Sequence, residues 1–364
     1  MKSSDGYGSR GWWACLRTAA LASLLMMSAA SSALGACQLV KIGELAVSVR
    51  GVPVVAASLD GHSVRLIVDT GAYNSLLFRA AVTAFNLKRL GVQGQDMLGT
   101  GGRDSSELVS VRDFALGDSV VHDLRFLAVA GAAGTKGFAP EDLAGVLGED
   151  FLSSMDVEFD LASGKIRLFH PKSCSGDQVV YWASAYNMVK FVAPPAGTRW
   201  LEAYVSLNGK DALAMFDSGA SRSTVTTNVS QRSGMEPETA VAESGQVRGI
   251  GPKTVTFSVA RFASLTIGQE LIKNPSLAIG DLFGATREVH TGSYIRQSAV
   301  TEPDLIVGAD FLRVHRVYIA TGQGKMYFTY LGGPIFEHAE PAPAPDAAPG
   351  TASVPGDSPK PPEH

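Results

Sequence analysis

Histidine and cysteine are scarce in this chain, and neither is arranged to bind metal. The seven histidines (His62, His122, His170, His290, His315, His338, His364) contain no i, i+4 pair and no Cys-His cluster of ligand spacing. Zinc-site chemistry is therefore excluded as a reading, no metal is expected, and these residues are assigned to surfaces and loops. There is no Gly-x-Ser-x-Gly elbow, which removes one large class of serine hydrolases. The cluster Gly99-Thr100-Gly101-Gly102 lacks the following Lys-Ser/Thr of a phosphate cradle. A formal net charge of −4 over 364 residues gives no reason to propose a nucleic-acid surface, so none is expected. The longest apolar, small-residue stretch, from about Thr18 to Ala33, is too short and too rich in Ser and Ala for a convincing membrane span.

What the chain does have is a hydrophobic content of 45%, enough for real cores, and 39 glycines, many in short clusters. That combination suits a turn-rich, mostly β protein with room for two domains. Lys2, Arg10 and Arg17 precede the apolar stretch and Leu34-Gly35-Ala36-Cys37 follows it, so residues 1–36 read as a secretory signal. Two outcomes of export stand side by side. Leu-Gly-Ala-Cys resembles a lipobox, which would make Cys37 a lipid anchor and the protein's only link to a membrane. Alternatively, Cys37 and Cys174, the two cysteines left after the signal departs, form a disulfide in an oxidising compartment. At the other end, residues 338–364 are rich in Pro and Ala without periodicity and are expected to be a disordered tail.

The chain repeats itself. Leu66-Ile67-Val68-Asp69-Thr70-Gly71-Ala72 is matched by Ala214-Met215-Phe216-Asp217-Ser218-Gly219-Ala220, with the aspartates 148 residues apart. The offset holds for Asp60-Gly61 with Asn208-Gly209 and for Ser75 with Ser223. A second signature, Gly145-Val146-Leu147-Gly148-Glu149-Asp150-Phe151-Leu152, is matched by Leu305-Ile306-Val307-Gly308-Ala309-Asp310-Phe311-Leu312 at an offset of 160. The second unit therefore carries about twelve extra residues, and the polar stretch Leu282 to Gln297 is the expected place for them. Each unit opens with an alternating strand (Val52–Leu59; Leu201–Leu207) and a turn into the apolar strand that ends in Asp. A short helical patch (Leu77–Phe85) or a connector, a glycine-rich loop and further strands follow. The units span 37–172 and 200–337. The segment 173–199 joins them and is apolar enough to pack across both. Asp150 and Asp310 read as caps of a turn or short helix, and Tyr181, Trp182 and Trp200 as core or interface aromatics.

A charged Asp closing a buried strand needs hydrogen-bonding partners. Two such carboxylates in contact share one proton and can activate a water. Aspartic proteases are the standard physical example of that split titration. On these doubled signatures the chain resembles the retropepsin-like aspartic proteases, from about Cys37 to Glu337, as a bacterial, exported member with two fused units. The resemblance implies a pseudo-twofold fold of two β-barrel units, with catalysis by Asp69 and Asp217 on a peptide or protein substrate. It also implies that no cofactor and no second chain are required to complete the site. It gives Thr70 and Ser218 hydroxyls that bond across the pseudo-twofold axis, and makes Gly71 and Gly219 the points of close approach. Gly148 and Gly308 would pack beneath the Asp loops. Gly99 and Gly101, and Gly249 and Gly251, would lie in flaps over the substrate; Gly99 and Gly249 follow their aspartates by 30 and 32 residues. The competing reading is a non-catalytic peptide-binding or envelope-assembly protein that keeps the fold.

Overall fold

The computed structural model describes residues 36–93, 96–130, 143–193, 201–227, 229–230, 239–284 and 302–336. The signal segment, the tail, Trp200 and most of the expected insertion lie outside them.

The chain folds as mostly β structure with a few short helices. In the first unit, Val52–Leu59 turns through Asp60-Gly61 into His62–Val68. Both turn residues have positive φ, 48° and 86°, the geometry that Asp-Gly and Asn-Gly accept most easily. Asn208 and Gly209 repeat the turn at 50° and 75°. His62–Val68 then lies parallel to Leu143–Leu147, which pairs with Leu76–Phe78. From there the sheet passes through Ser119–Val129 and Glu107–Leu116 and returns to Val52–Leu59, closing a six-strand barrel. The expected helical patch begins later than its sequence suggested: Leu76–Phe78 is strand and only Arg79–Ala84 is helix. Leu76 and Leu77 are fully buried in the barrel wall, and that burial overrides their helical propensity.

The second unit repeats the order with one break. The long hairpin of the first unit is interrupted at Phe262-Ala263 and again before Ser276. Its halves become Thr254–Arg261 with Ser276–Gly280 and Ser264–Ile267 with Glu270–Lys273. Ser264–Ile267 returns to the opening strand Glu202–Leu207, as its counterpart does in the first unit. Asn208 secures this return by accepting bonds from the N–H groups of Ala263 (2.8 Å) and Ser264 (3.1 Å). In the first barrel the matching Asp60 accepts from Asp113 N–H (2.8 Å).

A six-strand antiparallel sheet joins the units. Its order is Asn187–Lys190, Lys325–Tyr330, His315–Ala320, Asp156–Asp160, Lys165–Lys172 and the first half of Gln38–Arg50. Across its centre Glu158 faces Tyr318, positions equivalent at the 160-residue offset, so the pseudo-twofold axis passes between them. The upper face contributes Val157, Phe159, Val317 and Ile319 to one apolar core that runs through both units. On the lower face Glu158, fully buried, bonds Arg167 of its own unit and Arg316 of the other. The connecting segment is no tether: Asn187–Lys190 is a strand of this sheet, and Trp182 stacks on Tyr318.

The Cys37–Cys174 disulfide is present, tying the start of the first strand to the connector across 137 residues. The strand Gln38–Arg50, which feeds both the central sheet and the first barrel, was not anticipated from the sequence. His315 departs from its surface assignment. It is fully buried, stacked on Phe311, with Nδ1 bonded to Phe311 O (2.8 Å) and Nε2 to Glu270 Oε1 (3.0 Å). No helix among the described residues is long and apolar enough to cross a membrane.

Candidate active site

The two Asp loops meet on the pseudo-twofold axis. Each follows a strand whose last residue is buried, and each is bonded to the apolar strand beneath it. Asp69 N–H donates to Leu147 O and Asp217 N–H to Val307 O, both at 2.9 Å. The glycine of each lower segment lies against the loop above. A Cβ on Gly148 would come within 2.7 Å of Ala72 O, and one on Gly308 within 2.6 Å of Ala220 O.

Four hydrogen bonds lock the loops to each other. Thr70 N–H donates to Ser218 Oγ and Ser218 N–H to Thr70 Oγ1, both at 3.0 Å. Each hydroxyl then donates to the strand carrying the other aspartate: Thr70 to Phe216 O (2.8 Å), Ser218 to Val68 O (2.7 Å). Thr70 is 2% and Ser218 0% exposed, so these bonds form away from water, where an unmade one is costly.

Close approach is possible because the next residue in each loop has no side chain. A Cβ on Gly71 would sit 2.3 Å from the carboxyl carbon of Asp217, and one on Gly219 2.2 Å from that of Asp69. The backbone amides freed by this turn point at the carboxylates. Asp69 Oδ1 accepts from Gly71 N–H (2.8 Å) and Ala72 N–H (3.0 Å), and Asp217 Oδ1 from Gly219 N–H (2.8 Å) and Ala220 N–H (3.1 Å).

The two carboxyl groups face each other across the axis, close enough to perturb one another. Burial and the adjacent Asp217 carboxyl push Asp69 well above the ordinary carboxyl range. Burial raises Asp217 as well, opposed by the adjacent Asp69 carboxyl and by the loop amides. Both shifts favour retention of a proton, and two carboxyls this close titrate as a pair rather than residue by residue.

Asp150 and Asp310, expected to cap turns, have a different task. Asp150 Oδ1 accepts from both the N–H (2.8 Å) and the hydroxyl (2.7 Å) of Ser75, whose Oγ in turn accepts from Gly148 N–H (3.0 Å). Asp310 holds Ser223 in the same way, through Oδ2 to its N–H (2.7 Å) and Oδ1 to its hydroxyl (2.6 Å). Neither short helix has a side-chain cap bond. These bonds clamp the end of each Asp loop to the lower signature. The recurrence of Ser75 and Ser223 at the same offset was the available signal.

Gly99 and Gly101 lie in the small hairpin Met97–Gly99/Gly102–Asp104, and Gly249 and Gly251 in the turn before Thr254–Arg261. The tips touch: Gly101 N–H donates to Ile250 O (2.8 Å) and Lys253 N–H to Gly101 O (2.9 Å). Gly251 has φ of +105°, and a Cβ on Gly101 would lie 2.7 Å from its carbonyl oxygen. The tips and the Asp loops enclose a cavity of about 290 Å³, also lined by Tyr73, Asn74, Met97, Ser221, Arg222, Leu282 and Ile306. These wall residues were not singled out from sequence, because nothing local marks a side chain as facing a cleft. Among the described residues no three His, Cys, Asp or Glu side chains converge as a metal-ligand set.

The profile of the family described as aspartyl protease matches residues 55–151 and 203–311, together more than half of the chain. The two matches begin and end at equivalent points of the repeat, each running from the opening strand to the helix after the lower glycine. A comparison with curated proteins returned no match.

Proposed function

This chain belongs to the retropepsin-like aspartyl proteases, and on that premise we propose that it is an aspartic endopeptidase with Asp69 and Asp217 as its catalytic dyad. The observation that carries the reading is the contact of two carboxyl groups across the axis, each with a glycine of the opposite loop against it. A dyad holding one proton offers an acid and a base side by side. The charged carboxyl takes a proton from a water, and the protonated one donates to the oxygen of the scissile carbonyl. Attack of the water oxygen on the carbonyl carbon gives a tetrahedral diol, with the dyad's proton moved across. The dyad then gives its proton to the leaving nitrogen and takes one back from a diol hydroxyl as the C–N bond breaks, which restores the starting state. The amides of Gly71, Ala72, Gly219 and Ala220 stabilise the charged carboxylate, and the loop-to-loop bonds hold both groups in position without reorganisation. The closed flap tips would have to part to admit a peptide.

We further propose that the protein works after export, in the bacterial cell envelope. The amino-terminal segment and a disulfide, which persists in oxidising compartments, support that location. Cys37 being in the disulfide favours a form without a lipid on that residue.

The test is cleavage of a mixed peptide library by purified mature protein across a range of pH, beside Asp69→Asn and Asp217→Asn. Cleavage by the wild type in a bounded pH window, lost in each variant while folding is retained, is the expected outcome. Comparable cleavage by either single variant would remove the shared-dyad mechanism. Binding without cleavage by the wild type would turn the assignment to a peptide-binding protein.

A further inference from the structure

The first glycine-rich hairpin, Met97–Gly99 with Gly102–Asp104, runs into the barrel strand Glu107–Leu116 through Ser105-Ser106. One side chain grips that junction. Arg79, the first residue of the helix that follows Leu76–Phe78, donates through Nη2 to Ser105 O and to Ser105 Oγ (3.2 Å). Its Nη1 lies 3.8 Å from Asp104 Oδ1 and its Nε 3.7 Å from Glu107 Oε1. A planar fork of donors can engage a carbonyl, a hydroxyl and two carboxylates together, which a point charge cannot. Both acids are held from elsewhere as well. Asp104 Oδ2 accepts from Ala130 N–H (2.8 Å), and Glu107 pairs with Arg89, which donates to Thr83 Oγ1 (3.0 Å). On the apolar side Met97 packs with Leu76, Val129 and Val146. The hairpin is thus fastened at its root to the segment that leaves the Asp69 loop.

The sequence of the second unit does not repeat the device. Thr227 stands where Arg79 stands in the first, at the 148-residue offset. The strand leaving the second tip begins Thr254-Val255-Thr256-Phe257-Ser258, without an acid. Leverage makes the root matter. Three residues separate Asp104 from the tip at Gly101, about 10 Å of strand, so a tilt of about 10° at the root carries the tip roughly 2 Å. That is enough to break the bonds from Gly101 N–H to Ile250 O (2.8 Å) and from Lys253 N–H to Gly101 O (2.9 Å). Gly99 and Thr100, inside the same hairpin, line the cavity that Asp69 and Asp217 also line.

We infer that Arg79 is a positioning residue: from the root of the first glycine-rich hairpin it sets the angle at which Gly99 and Thr100 meet a bound peptide. The inference rests on the reading of this cleft as a peptide-cleaving site.

The experiment compares the mature wild type with Arg79→Gln and Arg79→Lys. Hydrogen exchange over residues 97–104 should quicken on the order of fivefold in Arg79→Gln, a modest change because the ion pairs are partly exposed. Arg79→Lys should fall between, keeping the charge and losing the fork. On a peptide that the protein cleaves, Arg79→Gln should raise KM about fivefold and leave kcat within about twofold. A variant that is merely less stable does the reverse, since a smaller folded fraction lowers apparent kcat at unchanged KM. Added salt should raise the KM of the wild type and not that of Arg79→Gln. Unchanged exchange over 97–104, or a fall in kcat at constant KM, overturns the inference and leaves the protease reading standing. If the wild type cleaves nothing, faster exchange in Arg79→Gln that Arg79→Lys partly restores upholds the grip on the hairpin and removes the protease reading. Unchanged exchange without cleavage overturns both.

Discussion

Replacing Thr70 by Val tests whether the loop-to-loop bonds carry the weight assigned to them. The substitution keeps shape and exchanges a hydroxyl for a methyl. It removes the bond to Phe216 O (2.8 Å) and the acceptor of Ser218 N–H (3.0 Å). Both orphaned groups lie where water does not reach, since Thr70 is 2% and Ser218 0% exposed. A buried polar group left without a partner costs about 1–3 kcal/mol, so the variant, with two such groups, should lose roughly 2–6 kcal/mol. Ser218→Ala removes the mirror pair, to Val68 O (2.7 Å) and from Thr70 N–H (3.0 Å), and should cost a similar amount. The two hydroxyls share no bond, yet both act on the same loops. The double variant should therefore lose less than the sum, because the first change already frees the loop that the second would release. Urea unfolding with the disulfide intact reads this directly, as a lower midpoint at unchanged slope. A single core spans both units, so one cooperative transition is expected. A loss below about 0.5 kcal/mol in both single variants, the range of an ordinary surface change, would refute the argument.

The dyad also sets a pH dependence of stability. Because folding raises its carboxyl pKa values, the folded state binds a proton that the unfolded chain releases above about pH 4, so stability falls as pH rises from there through the dyad's raised titration. Thermal midpoints of the wild type should fall over that window more steeply than those of the Asp69→Asn/Asp217→Asn variant; parallel curves would show that the dyad is not the source. Removing the disulfide by Cys37→Ser with Cys174→Ser frees a loop of 137 residues and should cost about 2–5 kcal/mol. A thiol count on the unreduced mature protein should find neither cysteine free, and two free thiols would remove the bridge.

Much of the site was legible in the sequence because its requirements are local. An Asp at the end of an apolar strand, a glycine two residues later and a positive-φ turn ahead of the strand are fixed by short-range sterics and by the need to partner a buried charge. Their repetition marked two units, and counting cysteines left a single candidate pair. Long-range pairing was not legible. The strand Gln38–Arg50 acquires its role only from Lys165–Lys172 and Val52–Val55 on either side of it. Asp150 and Asp310 looked like caps because the serines they hold are 75 and 87 residues away. His315 is an ordinary loop histidine until the second unit folds its ring against Phe311 and brings Glu270 to its edge. The sequence by itself thus determined the turns, the doubled Asp loops and the residues able to share a proton. Only the tertiary structure decided that the two loops meet, that the tips of the two glycine-rich loops touch and that Asp loops and tips line one cavity. Backbone sterics act over a few residues, whereas contacts between distant segments exist only once the shared core has brought the two units together.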